Sequence, residues 1–336
     1  MSTTHPASIT SVAELETLLS DPPQFVVDAM RRIDGDLIVL GVAGKMGPTL
    51  ARMARRASDV AGVRRRIVGV ARFSQPEMEA ALHAQGVETI RCDLLDERAI
   101  DRLPDAPNVV FMAVRVRSMN CHLPALVCRR YFRSRVVAFS TGNVYGLTPA
   151  GGHGSTEGDA PSPVGEYAMS CLGRERMFEY FSASQGVRTA ILRLNYAVEM
   201  RYGVLADLAR RVAAGETIDV TMGYFNAIWQ ADANAMALAS LAYVETPPLI
   251  LNLAGPQELS VRATCEQLGR LLGRAASFTG QEARDALLSN GARAWSLFGP
   301  PSVSASQLIA WTADWVARGG ASLDRPTHFE SRDGRF

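Results

Sequence analysis

Residues 36–57 read DLIVLGVAGKMGPTLARMARRA, and the fold turns on how they are read. Leu37 to Gly41 is a short apolar run, suited to a strand buried on both faces. Gly41, Gly44 and Gly47 then space a G-x-x-G-x-x-G turn, and a helical pattern starts at about Gly47. Glycine permits the tight turn and leaves the backbone open to a pyrophosphate. The N–H groups and partial positive charge at the helix start complete an anion site. Gly41, Gly44, Lys45, Met46 and Gly47 are therefore the expected pyrophosphate contacts, with Lys45 adding a point charge.

Outward from this turn, strands and helices alternate. RRRIVGVARF (64–73), VETIRCDLLD (87–96), NVVFMAV (108–114) and SRVVAFST (134–141) read as further strands. Helices are expected over Ser74–Gln85 and roughly Asn120–Tyr131. Such alternation with short connections predicts an α/β fold with a doubly wound parallel sheet. A Gly/Pro/Ser-rich loop (146–165) precedes a long helix over Val164–Gln185, then the strand VRTAILRL, a helix over Leu205–Ala214 and the late strand PLILNLAG. Two capped amphipathic helices, in SVRATCEQLGRLLGR and SASQLIAWTADWVARG, close the pattern. The expected organisation is a helical extension over 1–35, a dinucleotide-binding core over 36–195 with returning segments at about 216–254, and a small, mostly helical substrate lobe from 196–215 and 255–325.

The second strand ends Val70-Ala71-Arg72-Phe73-Ser74 without a carboxylate. An acidic residue there would hold a ribose diol and repel a 2′-phosphate, whereas Arg72 pairs with such a phosphate. The cofactor expectation is NADP(H) ahead of NAD(H). A net charge of +1 gives no bulk attraction to nucleic acid or membrane. No apolar run is long enough to span a bilayer, and the first residues lack a signal-peptide layout. Five widely spaced cysteines and scattered histidines argue against disulfides and against a metal site. A reducing cytoplasm is the expected location.

These residues resemble the extended short-chain dehydrogenases/reductases, in the NAD(P)-dependent epimerase/dehydratase branch. The resemblance runs from about Asp36 to Gly320 through GVAGKMG, CDLLD, FSTGNVYG, TEGDAPSPVGEYAMSCLGRERMFE and ILRLNYA. It implies that Asp93, with Leu94, contacts adenine. It also implies that the strand ending at Ala113, Val114 and Arg115 lies under the nicotinamide side. Thr141 matches the active-site Ser/Thr, and Tyr167 the tyrosine that moves a proton. In the family a lysine four residues after the tyrosine holds the nicotinamide ribose and lowers the tyrosine pKa.

Here that position is Cys171, and Lys45 is the only lysine in the chain. A tyrosine without a cation ionises near 10. Three readings stay open. Another cation, from Arg115, Arg117 or Arg174, supplies the field. Alternatively Tyr167 acts only as a neutral acid in reduction, or the site binds cofactor with little redox chemistry.

Nucleotide-sugar members carry an Asn-x-x-Gly-Pro-like run and an arginine before a V-x-D segment. Here the first reads Arg193-Leu194-Asn195-Tyr196-Ala197-Val198-Glu199 and the second FNAIWQAD (225–232), with Phe225 where the arginine belongs. A free sugar, sugar acid or other small polyol is the expected substrate, with Arg201 or Arg211 as substitutes should it carry a phosphate. Ser140, Asn143, His153, Asn195, Tyr196, Glu199 and Trp229 are the candidate substrate contacts. The leading expectation is an oxidoreductase or epimerase. The rivals are an NADP(H)-binding sensor, a nucleotide-sugar epimerase/dehydratase, or a lyase or isomerase without hydride transfer. The resemblance further implies a homodimer, paired through the helices after Asn120 and after Val164 as a four-helix bundle.

Overall fold

The computed structural model describes residues 5–113 and 117–334, with side chains in the sixth helix described from Asn120 onward. Seven strands form one parallel sheet: β1 (Leu37–Leu40), β2 (Ile67–Ala71), β3 (Glu88–Arg91), β4 (Asn108–Phe111), β5 (Arg135–Thr141), β6 (Arg188–Leu194) and β7 (Leu249–Leu253). Their order is β7-β6-β5-β4-β1-β2-β3. Leu37 pairs with Ile67 on one side and with Asn108 on the other, so the winding reverses at β1. Every residue of β1, β2 and β4 is buried, as expected of strands covered on both faces.

Among the described residues twelve α-helices surround the sheet. They are α1 (Val12–Leu19), α2 (Gln24–Arg32), α3 (Gly47–Ala61), α4 (Pro76–Ala84), α5 (Glu97–Asp101), α6 (Arg117–Arg130), α7 (Gly165–Gln185), α8 (Val204–Ala214), α9 (Gln230–Ser240), α10 (Val261–Leu272), α11 (Ala292–Phe298) and α12 (Ala305–Ala317). One apolar core joins α1, α2, α3 and α9 to the sheet and runs on into α8, α10 and α12. The opposite core packs Leu123 and Val127 of α6, with Phe178 and Phe181 of α7, onto Phe111, Val136 and Ile191.

Local chemistry sets the element ends. Ser11, Ser260 and Ser304 cap α1, α10 and α12 by accepting from Glu14, Ala263 and Gln307 backbone N–H groups, each at 3.2 Å. Helices α3 and α7 stop at Gly62 and Gly186, both left-handed. The N-terminal helices are integral to the main core: α2 packs on α3 and α9, and Met30 is fully buried.

The chain after α12 does more than the sequence suggests. Residues 321–334 run back over the junction of sheet and lobe. Leu323 N–H donates to the Arg201 carbonyl at 3.1 Å, and Thr327 donates twice to the Asp207 carboxylate, at 2.8 and 2.7 Å. Phe329 is 1% exposed and packs on Phe225 with ring centres 6.3 Å apart. Phe225 is thus a core residue at the position where an arginine was sought.

Candidate active site

At the end of β1 the chain turns through Gly41 at φ +90°. A Cβ there would stand 2.8 Å from the backbone of Ala113, so glycine lets the ends of β1 and β4 touch. A Cβ on Gly47 would meet the Val42 carbonyl oxygen at 2.1 Å, which explains a glycine at the start of α3. Gly44 is different: its nearest neighbour would be the Gly41 oxygen at 3.5 Å, an ordinary contact. Two glycines serve the chain's own packing. The third leaves bare backbone facing the cleft, as a pyrophosphate requires.

That cleft has an empty volume of about 1090 Å³, open mouth included, and its walls include Gly41, Gly44, Arg72, Asp93, Leu94, Ala113 and Arg325. It brings together residues expected as contacts from four separate strand ends. Asp93 also accepts from the Leu95 N–H at 3.1 Å, which fixes the turn after β3. Lys45, Met46 and Gly47 are not in the walls. The Lys45 ammonium instead sits 3.3 Å above the centre of the Tyr202 ring, turned toward the lobe. Val114 and Arg115 lie outside the described residues, as does the side chain of Arg117. Arg325 comes from the C-terminal segment and was not anticipated.

Tyr167 stands in the first turn of α7, which opens at Gly165 with φ +79°. The residue is 38% exposed, yet its hydroxyl end is desolvated and hydrogen-bonded to both Thr141 and Cys171. Thr141 ends β5 and also accepts from the Asn143 N–H at 3.2 Å. Burial pushes the phenol above the ordinary tyrosine range, and the adjacent Cys171 adds to the rise. Arg174 and the Thr141 hydrogen bond pull it down, but less.

Cys171 is fully buried and lies behind the tyrosine rather than in the cofactor cleft, contrary to the expected cofactor contact. A thiol lacks the reach and the charge of an ammonium. Its sulfur accepts from Arg174 Nη2 at 3.2 Å and faces Asn120 Nδ2 at 3.9 Å. Arg174, 1% exposed, also donates to the Phe139 carbonyl and to Asn120 Oδ1 at 2.8 Å. It points inward, against the sulfur. Burial holds the Cys171 thiol above its usual pKa despite the opposing pull of Arg174.

Next to it lies a second buried network. Arg193 of β6 grips Glu175 with Nε at 3.1 Å from Oε1 and Nη2 at 2.7 Å from Oε2. Its Nη1 donates to the Tyr145 hydroxyl at 2.7 Å, and that hydroxyl donates to Asn252 Oδ1 at 3.0 Å. Ser140, expected near substrate, donates to Glu175 and belongs to this network.

Three more of the candidate substrate residues, Asn195, Glu199 and Trp229, are buried. Asn195 is buried against Asn226, Nδ2 to Oδ1 at 2.7 Å. Glu199 is buried and ion-paired with Arg201 at 2.9 Å. Trp229 packs on Trp311 with ring centres 5.6 Å apart. His153 is exposed and lines a different recess, with Glu258 and Trp295. Asn143 and Tyr196 do share a cavity of about 370 Å³, with Tyr145, Leu287, Arg332 and Gly334. The last two are tail residues. Arg211, offered as a phosphate contact, pairs with Glu330 of that tail at 2.8 Å, and Arg201 also pairs with Glu16 at 3.1 Å. Among the described residues no cluster of His, Cys, Asp and Glu could hold a metal ion, and no helix is long and apolar enough to cross a membrane.

Sequence reading missed Asn120, Glu175 and Arg193 in the buried networks, as well as Arg325 in the cleft wall. One signal was available. Positions 167, 171 and 174 are spaced i, i+4, i+7 and fall on one helix face.

The chain is similar in structure to a dTDP-glucose 4,6-dehydratase from Bacillus anthracis in complex with NAD (TM-score 0.73, 14% identity, 85% of this chain and 97% of that one). It is similar also to a dTDP-glucose 4,6-dehydratase from Streptomyces venezuelae (0.71, 20%, 84% and 97%). A third similar structure is a UDP-glucose 4-epimerase from Thermus thermophilus in complex with NAD (0.68, 20%, 84% and 99%). No curated protein matches the sequence. Residues 37–224, more than half of the chain, match the model of one family. The chain belongs to the NAD dependent epimerase/dehydratase family.

Proposed function

We propose that the protein is a nicotinamide-dependent oxidoreductase or epimerase acting on a small hydroxylated substrate, a free sugar, sugar acid or polyol. The observation that carries this reading is the Thr141–Tyr167 hydrogen bond between the end of β5 and the first turn of α7, in a chain whose Gly41 turn opens a cleft suited to a dinucleotide. The nicotinamide, when bound, supplies or accepts the hydride. Thr141 orients the reacting oxygen, and Tyr167 gives it a proton in reduction or takes one in oxidation. A phenol held above its usual range stays protonated at neutral pH, so Tyr167 is prepared for the reductive direction. Oxidation needs the phenolate and should speed up as pH rises.

The size of the substrate follows from the tail. The recess beyond Asn143 is narrowed by the tail residues Arg332 and Gly334, and Arg201 and Arg211 are already paired with carboxylates. Both features favour a single sugar-sized ligand over the nucleotide sugars named for the structural neighbours. Arg72 at the cleft wall, in a strand end Val70–Ser74 that carries no carboxylate, supports NADP(H). The exposed Met169 and Tyr180 on α7, packed beside α6, support a homodimer through these helices.

The test is a screen of small polyols, sugar acids and their carbonyl forms with NADPH and NADH, run beside Tyr167→Phe. The variant should lose at least ~100-fold in turnover while binding cofactor as before. Turnover unchanged in Tyr167→Phe would remove the assigned proton transfer. Cofactor binding without turnover of any screened substrate by the wild type would favour the sensor. Arg72→Ala should weaken NADPH binding and leave NADH binding unchanged; equal loss for both would remove Arg72 as the phosphate reader.

A further inference from the structure

Arg174 is 1% exposed and meets only neutral acceptors among the described residues: the Phe139 carbonyl, Asn120 Oδ1 and the Cys171 sulfur. Its Nε has no hydrogen-bond partner among the described residues. An arginine cannot shed its charge in a protein, and buried charges are ordinarily paired. A fixed cation without a counter-charge is therefore expected to face an anion at some stage of the protein's work. The helix shows where. Tyr167, Cys171 and Arg174 lie on one stripe of α7, two turns long, and the phenol, the thiol and the guanidinium are linked in series by hydrogen bonds.

The charged and titratable neighbours leave few other recipients. On α7 itself Glu175 is held by Arg193 of β6. The turn after β5 offers Tyr145, whose hydroxyl already bonds Arg193 and Asn252. From β5 come the Phe139 carbonyl and Ser140, which is bonded to Glu175. From α6 come Asn120, which donates to Ser170 Oγ at 2.7 Å, and Cys121, whose sulfur packs on Gly173.

We propose that Arg174, acting through the Cys171 thiol, is the positioning residue that supplies positive charge to Tyr167, in place of an ammonium at position 171. In reduction, hydride arrives at the substrate carbonyl carbon and the Tyr167 O–H proton passes to the carbonyl oxygen. This leaves an alcohol and a phenolate. The Cys171 S–H then donates to the phenolate while its sulfur keeps the guanidinium, so the negative charge forms at one end of the stripe with the cation at the other. The phenolate later recovers a proton from solvent. Two neutral–cation steps thus do with reach what a lysine would do with one side chain.

This inference rests on the proton-transfer role of Tyr167, but its test does not need a substrate. Ionisation of Tyr167 can be followed as the alkaline absorbance change of the protein minus that of Tyr167→Phe. Arg174→Gln keeps a polar side chain for Asn120 and removes the charge; it should raise the Tyr167 midpoint by at least about one pH unit. Arg174→Lys should restore it to within about half a unit. Cys171→Ala should make the midpoint insensitive to Arg174→Gln. A midpoint unmoved in a folded Arg174→Gln protein, or one equally sensitive to Arg174 with and without the thiol, would overturn the proposal. Should Arg174→Gln fail to fold, Arg174→Lys decides alone: a shift as large as that of Cys171→Ala means the cation acts only in packing. Cofactor titration of the same proteins keeps the readings apart, since a wild type that binds neither NADPH nor NADH removes the enzyme reading and leaves the titration result intact.

Discussion

Two buried arginines lie side by side under the active site, and the chain treats them in opposite ways. Arg193 is 3% exposed and meets a carboxylate with both arms of its fork, the geometry that makes such a pair worth keeping out of water. Arg174 is 1% exposed and meets a carbonyl, an amide and a thiol. The Arg193 network ties β5, β6, β7 and α7 together through Glu175, Tyr145 and Asn252. The Arg174 network ends at the hydroxyl of an exposed tyrosine. A charge completed within the fold reads as architecture. A charge left incomplete beside a proton donor reads as chemistry.

The comparison breaks most visibly on the first of these arginines. Arg193→Leu strands the Glu175 carboxylate in an interior with no replacement cation, and should lower stability by about 3–5 kcal/mol, measured as a shift of the urea midpoint at constant slope. A loss below about 1 kcal/mol would mean that water reaches Glu175 and that the network is not the closed one described. Tyr145→Phe is the milder version. It removes a hydroxyl that receives from Arg193 and donates to Asn252, so about 1–2 kcal/mol should be lost. Activity should fall little, because the hydroxyl supports the floor of the cavity and leaves Tyr167 untouched.

Much of the fold was legible because local patterns and tertiary needs agree. The strand–turn–helix at residues 36–57 is an example: branched apolar residues, glycines at a turn and a proline in the first turn of the helix all demand the same structure, and a seven-stranded parallel sheet results. Of the candidate site, the gathering of strand-end residues was legible. Gly44, Arg72, Asp93 and Ala113 meet in one cleft. By contrast, Ser140, Asn195, Glu199 and Trp229, read as candidate substrate contacts, are paired inside with Glu175, Asn226, Arg201 and Trp311. Those partners are 31 or more residues away for Ser140, Asn195 and Trp229, where no spacing rule applies. The tail was invisible for another reason. Residues 321–334 have no periodicity to read, and they dock one by one, through Thr327 on Asp207, Phe329 on Phe225 and Glu330 on Arg211.

The smallest effect expected is the most discriminating. Arg174→Leu removes a side chain as deeply buried as Arg193, so a reading based on burial alone predicts a comparable loss. The chemistry predicts otherwise. Taking away an uncompensated cation relieves a desolvation cost, and this offsets the hydrogen bonds lost at Phe139 and Asn120. Asn120 keeps its bond to Ser170, and leucine fills most of the space against the sulfur. The net change should stay within about 1 kcal/mol of the wild type. A loss as large as that of Arg193→Leu would show that the fold itself balances the charge of Arg174, and the contrast between the two arginines would vanish. A near-neutral or stabilising change, with turnover lowered, would place Arg174 among residues kept at some cost to stability because the reaction uses their charge.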